Sequence, residues 1–477
     1  MLERFPAVRN GTEHGSAEWI AVVDPATGEA FAEIPRGTAA DVAGAVDAAR
    51  AAFESTWRHT TPAERGRLLR GLAGLIGRDR DALADLESRD TGKPMRQARA
   101  DVDVAARYFE FYAGAVEAMY GDTVPAVRDL LVYTLREPFG VTGHIVPWNY
   151  PIQIGSRTVA PALAAGNCCV LKPAEDAPLT PIRLAALALE AGFPPGVLNV
   201  VPGYGHEAGA ALAASPGIDH LSFTGSAEVG SEVACAAAAN HIPVVLELGG
   251  KSPNIVWADA DLDAATPVIV NSILQNAGQT CSAGSRLLAQ RPVHEELVAR
   301  LADRFAAVTI GPGRDDPDLG PLISAKQRDR VAGLVGEAAG DPAVRVVYGG
   351  ATPPGNDRGF FFQPTLLDGV PAAARIGQEE VFGPVLAVTG FDDEDEAVAL
   401  ANGTPYGLIA AVWTRDVSRA HRLAREIRAG QIYLNTYGAG GGVELPFGGM
   451  KKSGYGREKG YEAMVAYTQT KTVALKL

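Results

Sequence analysis

The chain has 477 residues, 47% hydrophobic and 21% charged, enough apolar material for two or three separate cores. A formal net charge of −13 argues against nucleic acid or an anionic membrane as a main partner. The first residues, Met1-Leu-Glu-Arg-Phe-Pro6, lack a signal-peptide pattern, no apolar run approaches the ~18 residues of a bilayer span, and four cysteines show no CxxC spacing, so a cytoplasmic protein with reduced thiols is expected.

In chain order, residues 17–35 alternate and break at Pro25 and Gly28, as short strands joined by a turn. From Thr38 to about Tyr120 the pattern is helical, with apolar residues at i, i+3 and i+4 in 39–53 and 62–77. Thr61-Pro62-Ala63-Glu64 offers an N-cap, Pro at N1 and Glu at N3. Strand character returns at 130–137. Short β-rich runs then recur at 141–146, 168–172, 197–201, 219–223 and 243–247, with helical segments at about 155–165, 179–191, 205–214 and 227–240 between them. That alternation predicts right-handed crossovers and a parallel sheet, which binds ligands at the carboxyl ends of its strands. Pro147-Trp148-Asn149-Tyr150, Lys172-Pro173-Ala174-Glu175 and Thr224-Gly225-Ser226 sit at such ends. A second α/β pattern follows Gly249-Gly250-Lys251, with strands at 254–257, 286–290, 343–348, 384–391, 408–413 and 431–434. The tail 465–475 alternates as a strand.

Cys281 lies in Gln275-Asn-Ala-Gly-Gln-Thr-Cys-Ser-Ala-Gly284, with no bulky apolar neighbour to bury its sulfur. An attacking thiolate needs such open backbone; a plain loop cysteine is the alternative. Glu247 ends a buried apolar run, where a carboxylate is costly unless paired or employed as a base of raised pKa. A helix cap or a buried ion pair would also explain it. Asn149 stands between Pro147 and Pro151 and is a turn residue if taken alone. Gly203–Gly209 and Gly454–Gly460 both run GxGxxxG, one residue too long for the dinucleotide fingerprint, and are read as ordinary glycine loops. Gly225–Gly230 joins a strand to a helix, where free N–H groups and the Ser226 hydroxyl could meet a pyrophosphate. The eight histidines form no HxxxH or HExxH pattern, so no metal site is expected.

Taken together, Pro147-Trp-Asn-Tyr-Pro151, Lys172-Pro-Ala-Glu175, Phe223-Thr-Gly-Ser226, Leu246-Glu-Leu-Gly-Gly-Lys251, Gly278-Gln-Thr-Cys281, Glu380-Val-Phe-Gly-Pro384 and Pro446-Phe-Gly-Gly449 occur in a fixed order. With them the chain resembles the NAD(P)-dependent aldehyde dehydrogenase superfamily from about residue 18 to the end. The resemblance implies an α/β fold: a Rossmann-like parallel-sheet cofactor domain (1–119 and 139–249) interleaved with a second α/β catalytic domain (250–450). A small strand-based oligomerisation element (120–138 and 451–477) completes it, and a homodimer or homotetramer is implied. It further implies a Cys281 nucleophile, Asn149 and the Cys281 N–H as oxyanion donors, and Glu247 as the base that hydrolyses a thioester. Lys172 falls both among the catalytic candidates and, with Glu175, at the adenosine ribose. Trp148, Gly225, Ser226, Glu380 and Phe382 complete the implied cofactor contacts. A carboxylate at Glu175 accepts from a ribose 2′-OH and repels a 2′-phosphate, so NAD is expected over NADP.

The substrate would be a small aldehyde met by Tyr150, Gln153, Arg157 and Phe447. Semialdehyde and some aromatic-aldehyde relatives carry an arginine matching Arg157, which favours a polar, carboxylated or aromatic aldehyde. Structural packing, or pairing with an acid, is the other reading of Arg157. Succinate-semialdehyde relatives have a second arginine where this chain has Gln275, a departure from that pattern. Acyl transfer to coenzyme A is the main enzymatic alternative, but such relatives typically lack the glutamate found at 247. A non-catalytic binding or structural member would not need Cys281, Glu247 and Asn149 together.

Overall fold

The computed structural model describes the chain except residues 1, 127, 357, 439–441 and 477. Its central feature is an eight-stranded sheet in the spatial order Gly454–Tyr455, Val244–Glu247, His220–Thr224, Val141–Val146, Cys168–Pro173, Leu198–Val200, Ala7–Arg9, Thr12–His14. The five inner strands are parallel, and the outer ones join antiparallel. In chain order the inner strands start at Val141–Val146 and grow outward to one side. They then return to the other side with His220–Thr224. The reversal leaves a crevice between those two neighbours, where open α/β sheets take ligands. All six residues of Val141–Val146 are buried, as expected for a strand covered by helices on both faces.

The second sheet has seven strands, ordered Arg345–Tyr348, Thr365–Asp368, Val385–Phe391, Arg286–Gln290, Pro253–Val256, Ile409–Trp413, Gln431–Leu434. All pairs are parallel except the Arg345–Tyr348 edge. Cys281 precedes Arg286–Gln290, so the thiol belongs to the amino ends of this sheet and faces the carboxyl ends of the first. Ser453 ties the two together: its hydroxyl donates to the Gly249 carbonyl at 2.7 Å and accepts from Gly407 N–H at 2.9 Å.

Several boundaries differ from the sequence reading, each for a local reason. The helix expected from 155 begins at Pro151, where proline's missing N–H is harmless in the first turn. The tail is not a strand from 465. Gly460–Ala466 is a helix that packs its buried Ala463 and Met464 toward Pro151–Ala165, and only Thr468–Lys476 is extended. That strand pairs along its whole length with Leu130–Pro138, and Thr123–Val124 adds a third, short strand. Thr365–Asp368, not anticipated, is wholly buried and too short to alternate visibly. The short strands expected within 17–35 are Trp19–Asp24 and Glu29–Pro35, which pair antiparallel. No helix among the described residues is long and apolar enough to cross a membrane.

Candidate active site

The crevice at the reversal opens into a cavity of about 740 Å³. Pro147, Trp148 and Asn149 enter it from the end of Val141–Val146, and Thr224 to Glu228 from the end of His220–Thr224. Ser226 caps the Ala227–Ala238 helix, its Oγ accepting from Val229 N–H at 3.3 Å, so the N–H-rich helix end faces the cavity. Opposite stand Glu380 and Phe382, and the Phe382 ring meets Trp148 edge-on at 5.3 Å between centroids. Glu380 accepts from Gly250 N–H at 3.0 Å, and burial raises its pKa to about 7.

Lys172 and Glu175 lie outside this lining. Lys172 is buried and its Nζ donates to Glu175 Oε2 at 3.0 Å; the other Glu175 oxygen accepts from Gly205 N–H at 3.3 Å. Burial opposes the charge on Glu175, but Lys172 and the backbone donors prevail and hold its pKa below the ordinary range. The structure therefore brings Lys172 to Glu175 and not to the thiol. It also brings the first discounted glycine loop, 203–209, to that carboxylate.

Cys281 is presented by a backbone that only a tight network could hold. Asn276 and Ala277 have φ of 51° and 53°, and Gly278 follows at 72°. A non-glycine residue in this region is strained. At Gly278 a Cβ would also collide with the Gly383 carbonyl. The Asn276 amide donates to the Asn149 carbonyl at 2.8 Å, Gln279 Oε1 accepts from Ile323 N–H at 2.9 Å, and Thr280 Oγ1 shares a hydrogen with the Tyr150 hydroxyl at 2.8 Å. Gln275 donates to that same hydroxyl at 3.0 Å.

Asn149 is held on both sides. Its side-chain amide donates to the Gln279 carbonyl at 2.9 Å, which leaves its second N–H uncommitted. Its backbone carbonyl accepts from Lys93 Nζ at 3.0 Å. Lys93 is fully buried and pairs with Asp101 at 2.6 Å and Glu87 at 3.2 Å. Nothing in the local sequence around Lys93 marked it for this place.

Glu247 is buried, lines the large cavity, and neither carboxylate oxygen has a hydrogen-bond partner among the described residues. Burial, reinforced by nearby Glu458, raises its pKa well above the carboxylate range. Burial likewise pushes the Cys281 thiol up to about 12, against the pull of Arg157 and Lys459.

On its other side Cys281 lines a second, smaller cavity of about 150 Å³, together with Tyr150, Gln153, Arg157, Gln275, Phe447 and Lys459. All four side chains expected to meet substrate are thus brought together. Arg157, however, is committed. It is buried, its Nε lies 2.5 Å from Glu458 Oε2, and its Nη2 donates to Thr224 Oγ1 at 3.3 Å. The Nε approach is an ion pair by distance, though not aligned as a hydrogen bond. Glu458 comes from the second glycine run, 454–460, and neutralises Arg157. The one metal-like grouping among the described residues, His294, Glu295 and Asp368, joins the Arg291–Ala306 helix to the Thr365–Asp368 strand, and Arg345 already occupies Asp368 at 2.7 Å.

Comparison with known proteins agrees with this arrangement. The Aldehyde dehydrogenase family profile matches residues 12–473. The mitochondrial aldehyde dehydrogenase of Equus caballus is 43% identical over 467 residues, covering 97% of this chain and 93% of that protein. The NAD+ complex of an aldehyde dehydrogenase from Bacillus cereus superposes with a TM-score of 0.97 at 39% identity, covering 100% of this chain and 97% of that one. Betaine aldehyde dehydrogenase from Staphylococcus aureus, in complex with NAD+, gives 0.97 at 37% identity, covering 99% and 94%. A thiol at the junction of two cavities, a match spanning nearly every residue and relatives above 40% identity lead to one conclusion: the chain belongs to the aldehyde dehydrogenase family.

Proposed function

We propose that the protein oxidises a small polar aldehyde to its carboxylic acid with NAD, through a covalent intermediate on Cys281. The observation that carries this is that Cys281 lines both cavities, so one atom can meet a substrate from one side and a cofactor from the other. The larger cavity fits a dinucleotide by its donor set. The Ala227–Ala238 helix end suits a pyrophosphate, Trp148 and Phe382 give an aromatic wall, and Glu380 is a half-buried acceptor for a ribose hydroxyl. Glu175, ionised beside Lys172, would accept from an adenosine ribose 2′-OH and repel a 2′-phosphate, which favours NAD over NADP. In this reading the first sheet carries the cofactor and the second carries the nucleophile. Lys172 is a ribose contact and takes no part in the chemistry.

The steps assigned to the chain's own residues balance. The thiol proton leaves to a base, for which ionised Glu247 is the facing carboxylate, and the thiolate attacks the carbonyl carbon. A C–S bond forms as the carbonyl electrons move to oxygen. That oxyanion would be met by the free Asn149 N–H and by the Cys281 N–H, which makes no hydrogen bond among the described residues. The chemistry a bound nicotinamide would supply is acceptance of the hydride from that carbon. A thioester on Cys281 remains. Once Glu247 has released that first proton to solvent, it takes a proton from water, the hydroxide adds to the thioester, the C–S bond breaks to free the Cys281 thiolate, and the acid departs. A buried carboxylate of raised pKa is a stronger base for this step than an exposed one.

A homodimer or homotetramer is the proposed assembly. The outer edge of Thr468–Lys476 is a long, exposed strand edge carrying Leu475, the kind that proteins normally pair or cover. A cytoplasmic setting is proposed on the basis of four free thiols. The decisive test is Cys281→Ala. NADH formation from every aldehyde should vanish while NAD still raises the Tm as it does in wild type. Continued turnover would overturn the assignment.

A further inference from the structure

The small cavity beside Cys281 has an unusual lining for an aldehyde. Gln153, Gln275 and Gln431 bring three amides, Arg157 and Lys459 bring two cations, and no aspartate or glutamate is among the lining residues. The two cations are not equivalent. Arg157 spends its charge on Glu458. Lys459 makes no ion pair among the described residues, and its ammonium lies 5.1 Å from the centroid of the Phe447 ring. Its position is fixed from behind, because Glu458 and Phe447 exchange both backbone hydrogen bonds, at 2.6 and 2.8 Å. The Lys459 backbone has φ 61° and ψ 172°, a conformation that side-chain-bearing residues rarely adopt. Burial and Arg157 lower its pKa to about 8, so the ammonium form still dominates at neutral pH. A half-buried cation held in a strained backbone, against a ring, with no partner, faces the space that an aldehyde's far end would fill.

We propose that Lys459 recognises a carboxylate carried by the aldehyde, so that the preferred substrates are short oxo acids. This rests on the reading of Cys281 as the nucleophile and gives that site its substrate class. The carboxylate would supply the ion pair that Lys459 lacks, while the three glutamines meet its remaining lone pairs. Arg157 has a different part. It is held by Glu458 and by the Thr224 hydroxyl beside the cofactor crevice, and it positions Glu458 and the thiol's electrostatics without reading the substrate.

Lys459→Met tests this, since methionine keeps the unbranched stem and leaves the backbone strain unchanged. The probes are 4-oxobutanoate, 5-oxopentanoate and 6-oxohexanoate, each beside its neutral carboxamide, with NADH formation as the readout. Wild type should prefer at least one acid to its amide. In Lys459→Met that acid-to-amide ratio of kcat/KM should fall about 10- to 100-fold, mainly through KM, while Lys459→Arg retains most of it. An unchanged ratio in Lys459→Met overturns the proposal. So does an equal loss on acid and amide with a shifted pH profile for iodoacetamide alkylation of Cys281, which would make Lys459 a partner of the thiol instead. If wild type oxidises the amides as well as the acids, only this inference falls. If it oxidises no aldehyde at all, the nucleophile assignment falls with it.

Discussion

The two cavities that meet at Cys281 are built by different rules. The larger takes part of its wall from two short runs at the ends of neighbouring strands, 147–149 and 224–228, and the rest from later segments, 378–380, Phe382 and 405–406 among them. Glu228, Glu247, Glu379 and Glu380 stand in it beside Arg330, Arg375 and Lys452. The smaller takes its side chains from segments scattered over the chain: 150–157, 275–282, 431–433, 445–447 and Lys459. It offers cations and amides but no acid. A cofactor common to many enzymes can be held by motifs local to strand ends. In the proposed function, selectivity for one aldehyde is assembled by the tertiary fold, from residues that lie far apart in sequence.

The comparison is sharpest at the residue on the border. Glu247 belongs to the large cavity yet is expected to act on what the small one holds. Replacing it by Gln should lower steady-state kcat roughly 10²- to 10⁴-fold. A burst of NADH close to one equivalent per active site should survive, because another base, or solvent at high pH, can still take the thiol proton. A loss of the burst along with the steady state would make Glu247 the base that the thiol cannot do without, and not only the base of deacylation. The pH profile follows from the same environment. Cys281 and Glu247 both have pKa values raised by burial, and in the proposed mechanism both act deprotonated. Wild-type kcat/KM should therefore climb with pH through the neutral and alkaline range, with the climb in kcat reduced in Glu247→Gln.

Asn149 gives the next effect. Asn149→Ala removes one of the two proposed oxyanion donors and should cost about 10²- to 10³-fold in kcat with little change in KM. An effect confined to KM would place the asparagine with substrate binding, in the smaller cavity's class. Lys93 explains why this amide is so well placed. Its buried ammonium, balanced by Asp101 and Glu87, holds the Asn149 backbone through one hydrogen bond at 3.0 Å.

The same division decides what could be read from the sequence. The inner strands of the first sheet were legible because each is an apolar run bounded by turn residues and followed by its chemistry, as in Trp148-Asn149 or Thr224-Gly225-Ser226. Cys281 stood out because nothing around it could bury it. Thr365–Asp368 was not legible, since two leucines between Pro364 and Gly369 carry no period. Nor was the helix at 460–466, whose apolar residues also fit an alternating pattern. The pairing of Arg157 with Glu458 joins opposite ends of the chain, and no local spacing reports such a contact. The same distance hides the roles of Lys93 and Lys459, although charged residues inside the glycine run 454–460 are a signal that the sequence carries. The charges that tune this site lie on both sides of it in sequence, and only folding brings them together.

The smallest expected effect tests the Lys172–Glu175 pair, which lies beyond the lining of the large cavity. Glu175 keeps its charge because Lys172 lies 3.0 Å away and Gly205 N–H donates to its other oxygen. Glu175→Gln keeps an acceptor for a ribose hydroxyl but removes the charge that would oppose a 2′-phosphate, and it frees the Lys172 ammonium to attract one. The NAD-to-NADP ratio of kcat/KM should fall about tenfold, roughly 1.4 kcal/mol, mostly through a lower KM for NADP. The acid-to-amide selectivity on the substrate side should not move with it, because Lys172 and Glu175 line neither cavity that Cys281 touches. If both selectivities shifted together, the two cavities would be coupled through the sheet and could not be treated as separately built. If neither shifted, the carboxylate at 175 would be holding the glycine loop at 205, and cofactor choice would have to be sought elsewhere along the crevice.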